Sequence, residues 1–130
     1  MGKKRILIVD DEAACTRLLK LCLVQTARYE VEVENDASGA LALAERFQPD
    51  LILLDVMMPG MDGGEVASRL KANARLAQVP IVFLTAAVRR EELDSREGII
   101  GGLPFLAKPV ELGEVMRCID GILGTQASPP

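Results

Sequence analysis

The sequence predicts one α/β domain, a doubly wound, five-stranded parallel sheet with helices on both faces and three layers, α/β/α. Three observations carry that expectation. The chain has 130 residues, a length that suits one domain with a proper core. Apolar runs at 5–9, 51–54 and 80–84 lack the polar alternation of a half-wet strand, and so read as strands buried on both faces. Strand-like and helix-like stretches alternate five times along the chain, with no internal repeat.

Arg5-Ile6-Leu7-Ile8-Val9 is the first strand, and it runs into Asp10-Asp11-Glu12. Lys3-Lys4-Arg5 is the one basic run, and its place is to solvate the start of that strand. A helix follows over about 13–26, with Leu18, Leu21, Cys22 and Gln25 along one stripe, broadened by Leu19 and Leu23. Val31 and Val33 alternate with Glu30, Glu32 and Glu34, which predicts a short edge strand with one wet face. Asn35 and Asp36 are N-cap candidates for a helix to about Phe47, whose apolar side is Leu41, Leu43 and Ala44.

The central strand, about 50–56, lies between Pro49 and the turn Met57-Met58-Pro59-Gly60-Met61-Asp62-Gly63. It delivers Asp55 to the carboxyl edge of the sheet, where open α/β sheets bind their ligands. The loop at 59–64 opens a helix over about 65–72, and a strand at 80–85 ends on the Thr85 hydroxyl. Residues 89–97 are charged and weakly amphipathic, and Gly98-Ile99-Ile100-Gly101-Gly102 interrupts them, which predicts a mobile helix and loop. Leu103-Pro104-Phe105-Leu106-Ala107 is the last strand, ending at Lys108-Pro109. A helix over 112–123 turns Val115, Met116, Ile119, Ile122 and Leu123 inward, and Gly124 stops it. Residues 1–124 are thus expected to form the domain, and 125–130 a flexible tail or linker stub.

Composition narrows the function classes. The chain is 49% hydrophobic and 26% charged, with a formal net charge of -4 and neither His nor Trp. No Lys/Arg stripe is available to track phosphates, which argues against a nucleic-acid surface. Cys15, Cys22 and Cys118 follow no metal spacing, and without His a zinc site would need thiols and carboxylates alone. Buried or half-buried free thiols on helices, in a reducing compartment, are expected instead. No signal-peptide pattern and no apolar run of spanning length is present, so the expected location is cytoplasmic, away from membranes.

Four strands end in chemically active residues: Asp10-Asp11, Asp55, Thr85 and Lys108. In a parallel sheet these ends share one edge. Two like charges about 4 Å apart repel by about 4 kcal/mol at an effective dielectric near 20, and Lys108 offsets only one of them. A divalent cation is the natural remedy, and an all-oxygen donor set selects Mg²⁺, Mn²⁺ or Ca²⁺ over zinc. Each residue also has a plain structural use: Asp10-Asp11 as a helix cap, Thr85 as a turn cap, Lys108 as a surface ammonium. Their coincidence at one edge is harder to obtain by chance.

The motifs Ile8-Val9-Asp10-Asp11-Glu12, Leu54-Asp55-Val56-Met57-Met58-Pro59-Gly60-Met61-Asp62-Gly63, Leu84-Thr85-Ala86 and Lys108-Pro109 stand at telling separations. With them the chain, from about Lys4 to Leu123, resembles the receiver domain of bacterial two-component response regulators, a flavodoxin-like fold. The resemblance implies that Asp55 accepts a phosphoryl group from a histidine kinase or phosphotransfer protein. It implies that Asp11, Asp55 and the Met57 backbone carbonyl bind Mg²⁺, with Asp10 acting largely through water. Thr85 and Lys108 would each bond a phosphoryl oxygen, and Phe105 holds the switch-aromatic position on the face of the fourth helix, fifth strand and last helix. Lys108-Pro109 would be a cis peptide.

Ile100-Gly101-Gly102, Pro104 and Val110 depart from the family pattern and bear on the shape of the output face. Met57 and Ala87 offer no polar group to position a hydrolytic water, so slow-to-moderate self-dephosphorylation is expected. The implied protein is a signalling domain that catalyses only its own phosphorylation and dephosphorylation, as a monomer or weak dimer. Three alternatives stand beside it. A Mg²⁺-dependent phosphohydrolase would want a second carboxylate two residues after the first, where Asp55 is followed by Val56-Met57. A flavodoxin-like nucleotide binder would want a Gly/Ser/Thr-rich first loop in place of Asp10-Asp11-Glu12. A phosphorylation-dead docking module would not need every chemical position filled.

Overall fold

The computed structural model describes residues 2–86, 99–100 and 103–124. Five strands run parallel: β1 (Lys4–Val9), β2 (Tyr29–Glu34), β3 (Leu51–Asp55), β4 (Ile81–Thr85) and β6 (Leu103–Ala107). A two-residue strand, β5 (Ile99–Ile100), pairs antiparallel with β6, and the sheet order is β2-β1-β3-β4-β6-β5. The helices are α1 (Ala13–Gln25), α2 (Ala40–Phe47), α3 (Gly63–Ala72) and α4 (Leu112–Leu123). This is the doubly wound parallel sheet that the alternation predicts, with β2 at an edge.

β5 differs from the interruption expected at 98–102. Two β-branched residues beside a Gly-Gly pair are also a strand signal, and here Ile99 faces Pro104 and Ile100 faces Leu103. The helix expected over 89–97, Ala87 and the tail at 125–130 lie outside the described residues.

The period of two along each strand divides the core. Leu7, Val9, Ile52, Leu54 and Phe83 face one side, with Ala40, Ala44, Phe47, Val66 and Leu70 from α2 and α3. Ile6, Ile8, Leu51, Leu53, Val82 and Leu84 face the other, with Leu23, Val115 and Ile119 from α1 and α4. Each fully buried Leu or Ile contributes about 1.5–3 kcal/mol, so the central strands are held firmly in register.

Several local expectations give way. On α1 the inward stripe is Thr16, Leu19 and Leu23, with Cys22 half-buried, while Leu18 is 64% and Leu21 54% exposed and Gln25 is also exposed. Thr16 is buried because its hydroxyl donates to the Ala13 carbonyl at 3.0 Å and accepts from Asn35 Nδ2 at 2.9 Å. A satisfied buried hydroxyl is invisible to an apolar pattern, which therefore rotates the helix. Asn35 is no helix cap: its Nδ2 also donates to the Asp10 carbonyl at 2.8 Å, fastening the end of β2 to the β1–α1 loop. Asp36 does cap, but it caps a 3-10 turn at Ala37–Gly39 ahead of α2. α3 starts at Gly63, earlier than residue 65, because Asp62 Oδ1 accepts from the Glu65 N–H at 2.8 Å. Ile122 is 38% exposed rather than inward, and Cys15 is exposed rather than half-buried. Among the described residues no helix is long and apolar enough to cross a membrane.

Candidate functional site

The carboxyl ends of β1, β3, β4 and β6 meet at one edge, as the parallel pairing requires. Asp55 closes β3, whose five residues are all buried, so the strand leaves its carboxylate little freedom. Asp10, Asp55 and Thr85 are only 2%, 3% and 3% exposed, whereas Asp11 is exposed. Carboxylate oxygens of Asp10, Asp11 and Asp55 lie within 4.8 Å of one another.

Lys108 reaches into this group from the end of β6. Its Nζ donates to Asp10 Oδ2 at 2.8 Å and to Glu12 Oε1 at 2.9 Å, and stands 3.3 Å from Asp55 Oδ1. Its backbone N–H donates to the Thr85 carbonyl at 2.9 Å, which ties its strand end to that of β4. The Lys108-Pro109 peptide is cis. Asp10 Oδ1 accepts from the Glu12 N–H at 3.0 Å, so both oxygens of Asp10 are engaged.

The loop after β3 is built to leave room. The Met57 N–H reaches Asp55 Oδ1 at 3.4 Å, while the Met57 side chain is 68% exposed. Gly63 opens α3 directly against the end of β3: a Cβ there would collide with the Asp55 carbonyl oxygen and stand 2.8 Å from Val56 Cα. Only a residue without a Cβ allows that approach.

Electrostatics follow from the geometry. Burial, and then the neighbouring Asp10 carboxylate, push the Asp55 pKa up to about 6, against the pull of Lys108 and of the Met57 N–H. For Lys108, burial works against the charge, but the bonds to Asp10 and Glu12 and the charge of Asp55 raise its pKa overall. The ammonium therefore stays charged. Three clustered carboxylates against one such ammonium leave net negative charge on an all-oxygen donor set. That set fits a hard divalent cation such as Mg²⁺.

Away from the acidic cluster, Phe105 is half-buried and stacks on Phe83, its cross-strand neighbour, with ring centroids 5.2 Å apart and planes at 29°. A cavity of about 410 Å³ opens beside Lys108, lined by Asp10, Glu12, Leu18, Leu19 and Val110. Asp10, Asp11, Asp55 and Lys108 thus come together at the edge as expected, with Thr85 at the end of the adjoining strand. Glu12 is the participant that motif reading passed over. Its signal was its place as third member of the acidic run Asp10-Asp11-Glu12.

Comparison with known proteins agrees with this geometry. The model of the response regulator receiver domain matches residues 6–120. The chain is similar to the response regulator PleD of Caulobacter vibrioides, 46% identical over 112 residues that cover 82% of this chain and 23% of PleD. It is also similar to the phosphate regulon transcriptional regulatory protein PhoB of Pseudomonas aeruginosa, 38% identical over 125 residues, or 95% of this chain and 53% of PhoB. The chain thus spans roughly a quarter of the one relative and half of the other. Among solved structures, the receiver domain of the sensor histidine kinase PA1611 from Pseudomonas aeruginosa carries a magnesium ion coordinated in its active-site cleft. It superposes with a TM-score of 0.78 at 26% identity, covering 95% of this chain and 100% of that one.

Proposed function

This chain belongs to the response regulator receiver domain family of two-component signalling, which implies a histidine kinase partner, and on that premise we propose that Asp55 is its phosphoacceptor. The observation that carries the proposal is the convergence of Asp10, Asp11, Asp55 and Lys108 on one point of the sheet edge. The domain comprises residues 1–124, with 125–130 as a tail or linker stub.

An Asp55 carboxylate oxygen attacks phosphorus in line while the P–N bond of a phosphohistidine breaks. The electron pair stays on the imidazole nitrogen, which takes a proton from solvent. The Lys108 ammonium, already 3.3 Å from Asp55, bonds an oxygen of the transferred group and offsets its charge. The Thr85 hydroxyl bonds another. Asp11, Asp55 and the Met57 carbonyl would hold Mg²⁺, with Asp10 acting largely through water. When bound, the ion would supply charge neutralisation for the phosphoryl group in transfer.

The donor is a histidine kinase or phosphotransfer protein. It covers the rim where exposed Leu18 lines the cavity beside Lys108, and exposed Leu21 one turn further along α1. Added negative charge at Asp55 draws Thr85 towards it, and Phe105 rotates inward into the space released, which alters the output face at β6 and α4. The domain signals to a downstream protein from the cytoplasm, as a monomer or weak dimer, without binding nucleic acid or membrane itself. It catalyses only its own phosphorylation and dephosphorylation.

The test is incubation of the parent and of Asp55→Asn with Mg²⁺ and acetyl phosphate, followed by intact mass measurement. The parent gains one base-labile phosphoryl group and the variant none. No gain in the parent, or equal gain in both chains, would sink the proposal.

A further inference from the structure

Glu12 is the one residue of the acidic run to which the phosphoacceptor reading gives no task. Its side chain is 55% exposed, and its Oε1 accepts from Lys108 Nζ at 2.9 Å. The same ammonium serves Asp10 at 2.8 Å and Asp55 at 3.3 Å. An ammonium has three N–H donors, so all three face carboxylates and an arriving phosphoryl oxygen must displace one. Asp10 and Asp55 have side chains only 3% and 5% exposed, and leaving either unpaired inside the protein is expensive. Glu12 returns to water readily. It also lines the cavity mouth beside Lys108, so its charge faces whatever enters. Although Glu12 is the N-cap residue of α1, its side chain makes no capping bond. Its contact with Lys108 is therefore separable from helix stability.

We infer, on the basis of the phosphoacceptor reading of Asp55, that Glu12 is a positioning residue that holds the third N–H of Lys108 and selects phosphodonors by charge. A doubly charged small donor meets the Glu12 carboxylate and must take Lys108 from it. A singly charged donor meets about half that repulsion.

Two small donors separate the effect. In acetyl phosphate, doubly charged at neutral pH, Asp55 forms its bond to phosphorus as the P–O bond to acetate breaks, and acetate leaves with the electron pair. In phosphoramidate, which carries less negative charge, the P–N bond breaks and the nitrogen leaves as ammonia. Phosphoryl-Asp55 formation is followed by mass for the parent, Glu12→Gln and Glu12→Asp, with each donor, at low and high NaCl. Glu12→Gln is expected to react about threefold faster with acetyl phosphate at low salt, to gain less with phosphoramidate, and to lose the difference as salt rises. Glu12→Asp, which keeps the charge, retains a donor preference near that of the parent. A general disturbance of the fold would slow both donors in parallel and leave their ratio unmoved. An unchanged ratio in Glu12→Gln, or a change that salt does not erase, overturns the inference while Asp55 is still phosphorylated. A parent that takes up phosphoryl from neither donor overturns the Asp55 reading itself, and this inference with it.

Discussion

Asp55 holds a charge in a place that resists it. Its pKa rises from 3.8 to about 6, first through burial and then through Asp10. In the unfolded chain the group is ionised above its ordinary pKa, while the native state keeps the proton up to about 6. Between those values the native state binds more protons, so stability falls as pH rises and the whole penalty is present at pH 7. Asp55→Asn is therefore expected to be more stable than the parent in metal-free buffer at neutral pH. The gain is on the order of 1–3 kcal/mol, or several degrees in Tm, and it vanishes below the unfolded pKa. Added Mg²⁺ narrows the gap, because it binds the parent's carboxylates more tightly than the variant's. Thermal melts across pH and Mg²⁺ check this, and coincident melts at pH 7 without metal would contradict it. Asp10, Asp11, Asp55, Thr85 and Lys108 were legible in sequence because each ends an apolar run. Glu12 and Asn35 were not. Their partners Lys108 and Asp10 lie 96 and 25 residues away, and locally both read as ordinary polar loop or cap residues.

Among the elements, strands were easier to read than helix faces. A strand buried on both sides is apolar at every position, so its register hardly enters the reading. α1 is harder, because apolar residues surround more than one face and the true inward stripe includes Thr16. The result leaves Leu18, Leu21 and Val24 at 64%, 54% and 41% exposure along α1, with Leu18 lining the cavity beside Lys108. If a protein donor docks there, a Leu18→Glu, Leu21→Glu double variant lowers the ratio of kinase-driven to acetyl-phosphate-driven phosphorylation by about tenfold. An unchanged ratio would place docking elsewhere. α3 offers a sharper case. Gly63→Ala pushes a Cβ into the backbone of Asp55 and Val56, which cannot swing aside as a side chain would. Its expected cost is about 1–3 kcal/mol, with slower phosphoryl uptake because the acceptor moves. Gly64→Ala is the control, since its Cβ would meet only Asp62 Oδ1 at 3.3 Å. It should stay within about 0.5 kcal/mol of the parent. Equal melts for the two variants would remove the packing argument.

At the scale of the whole molecule, topology does what no single motif can. The order β2-β1-β3-β4-β6 puts the two acidic strand ends side by side and sets β4 and β6 in register, with Phe83 facing Phe105 and Thr85 facing Ala107. The alternation of strands and helices made the parallel sheet and its edge strand legible but not this order, and the antiparallel β5 depends on a two-residue pairing too short for periodicity to reveal. The register couples the ends of one pair of strands: Thr85 near the acceptor and Phe105 two residues back along β6. On the proposed switch, a charge-driven shift of Thr85 would change the space open to Phe105, and the ring would redistribute between two positions rather than being levered across. The chain has no Trp, so Phe105→Trp introduces a single reporter at that point. With Mg²⁺ and beryllofluoride as a phosphoryl analogue, its emission is expected to move to the blue as the ring leaves its half-buried position for a drier one. Adding Thr85→Ala should abolish the shift even where Asp55 still takes up the analogue. An emission unchanged by the analogue would dismiss the switch yet leave Asp55 as acceptor. A shift that survives Thr85→Ala would mean that the signal leaves the site by some route other than β4.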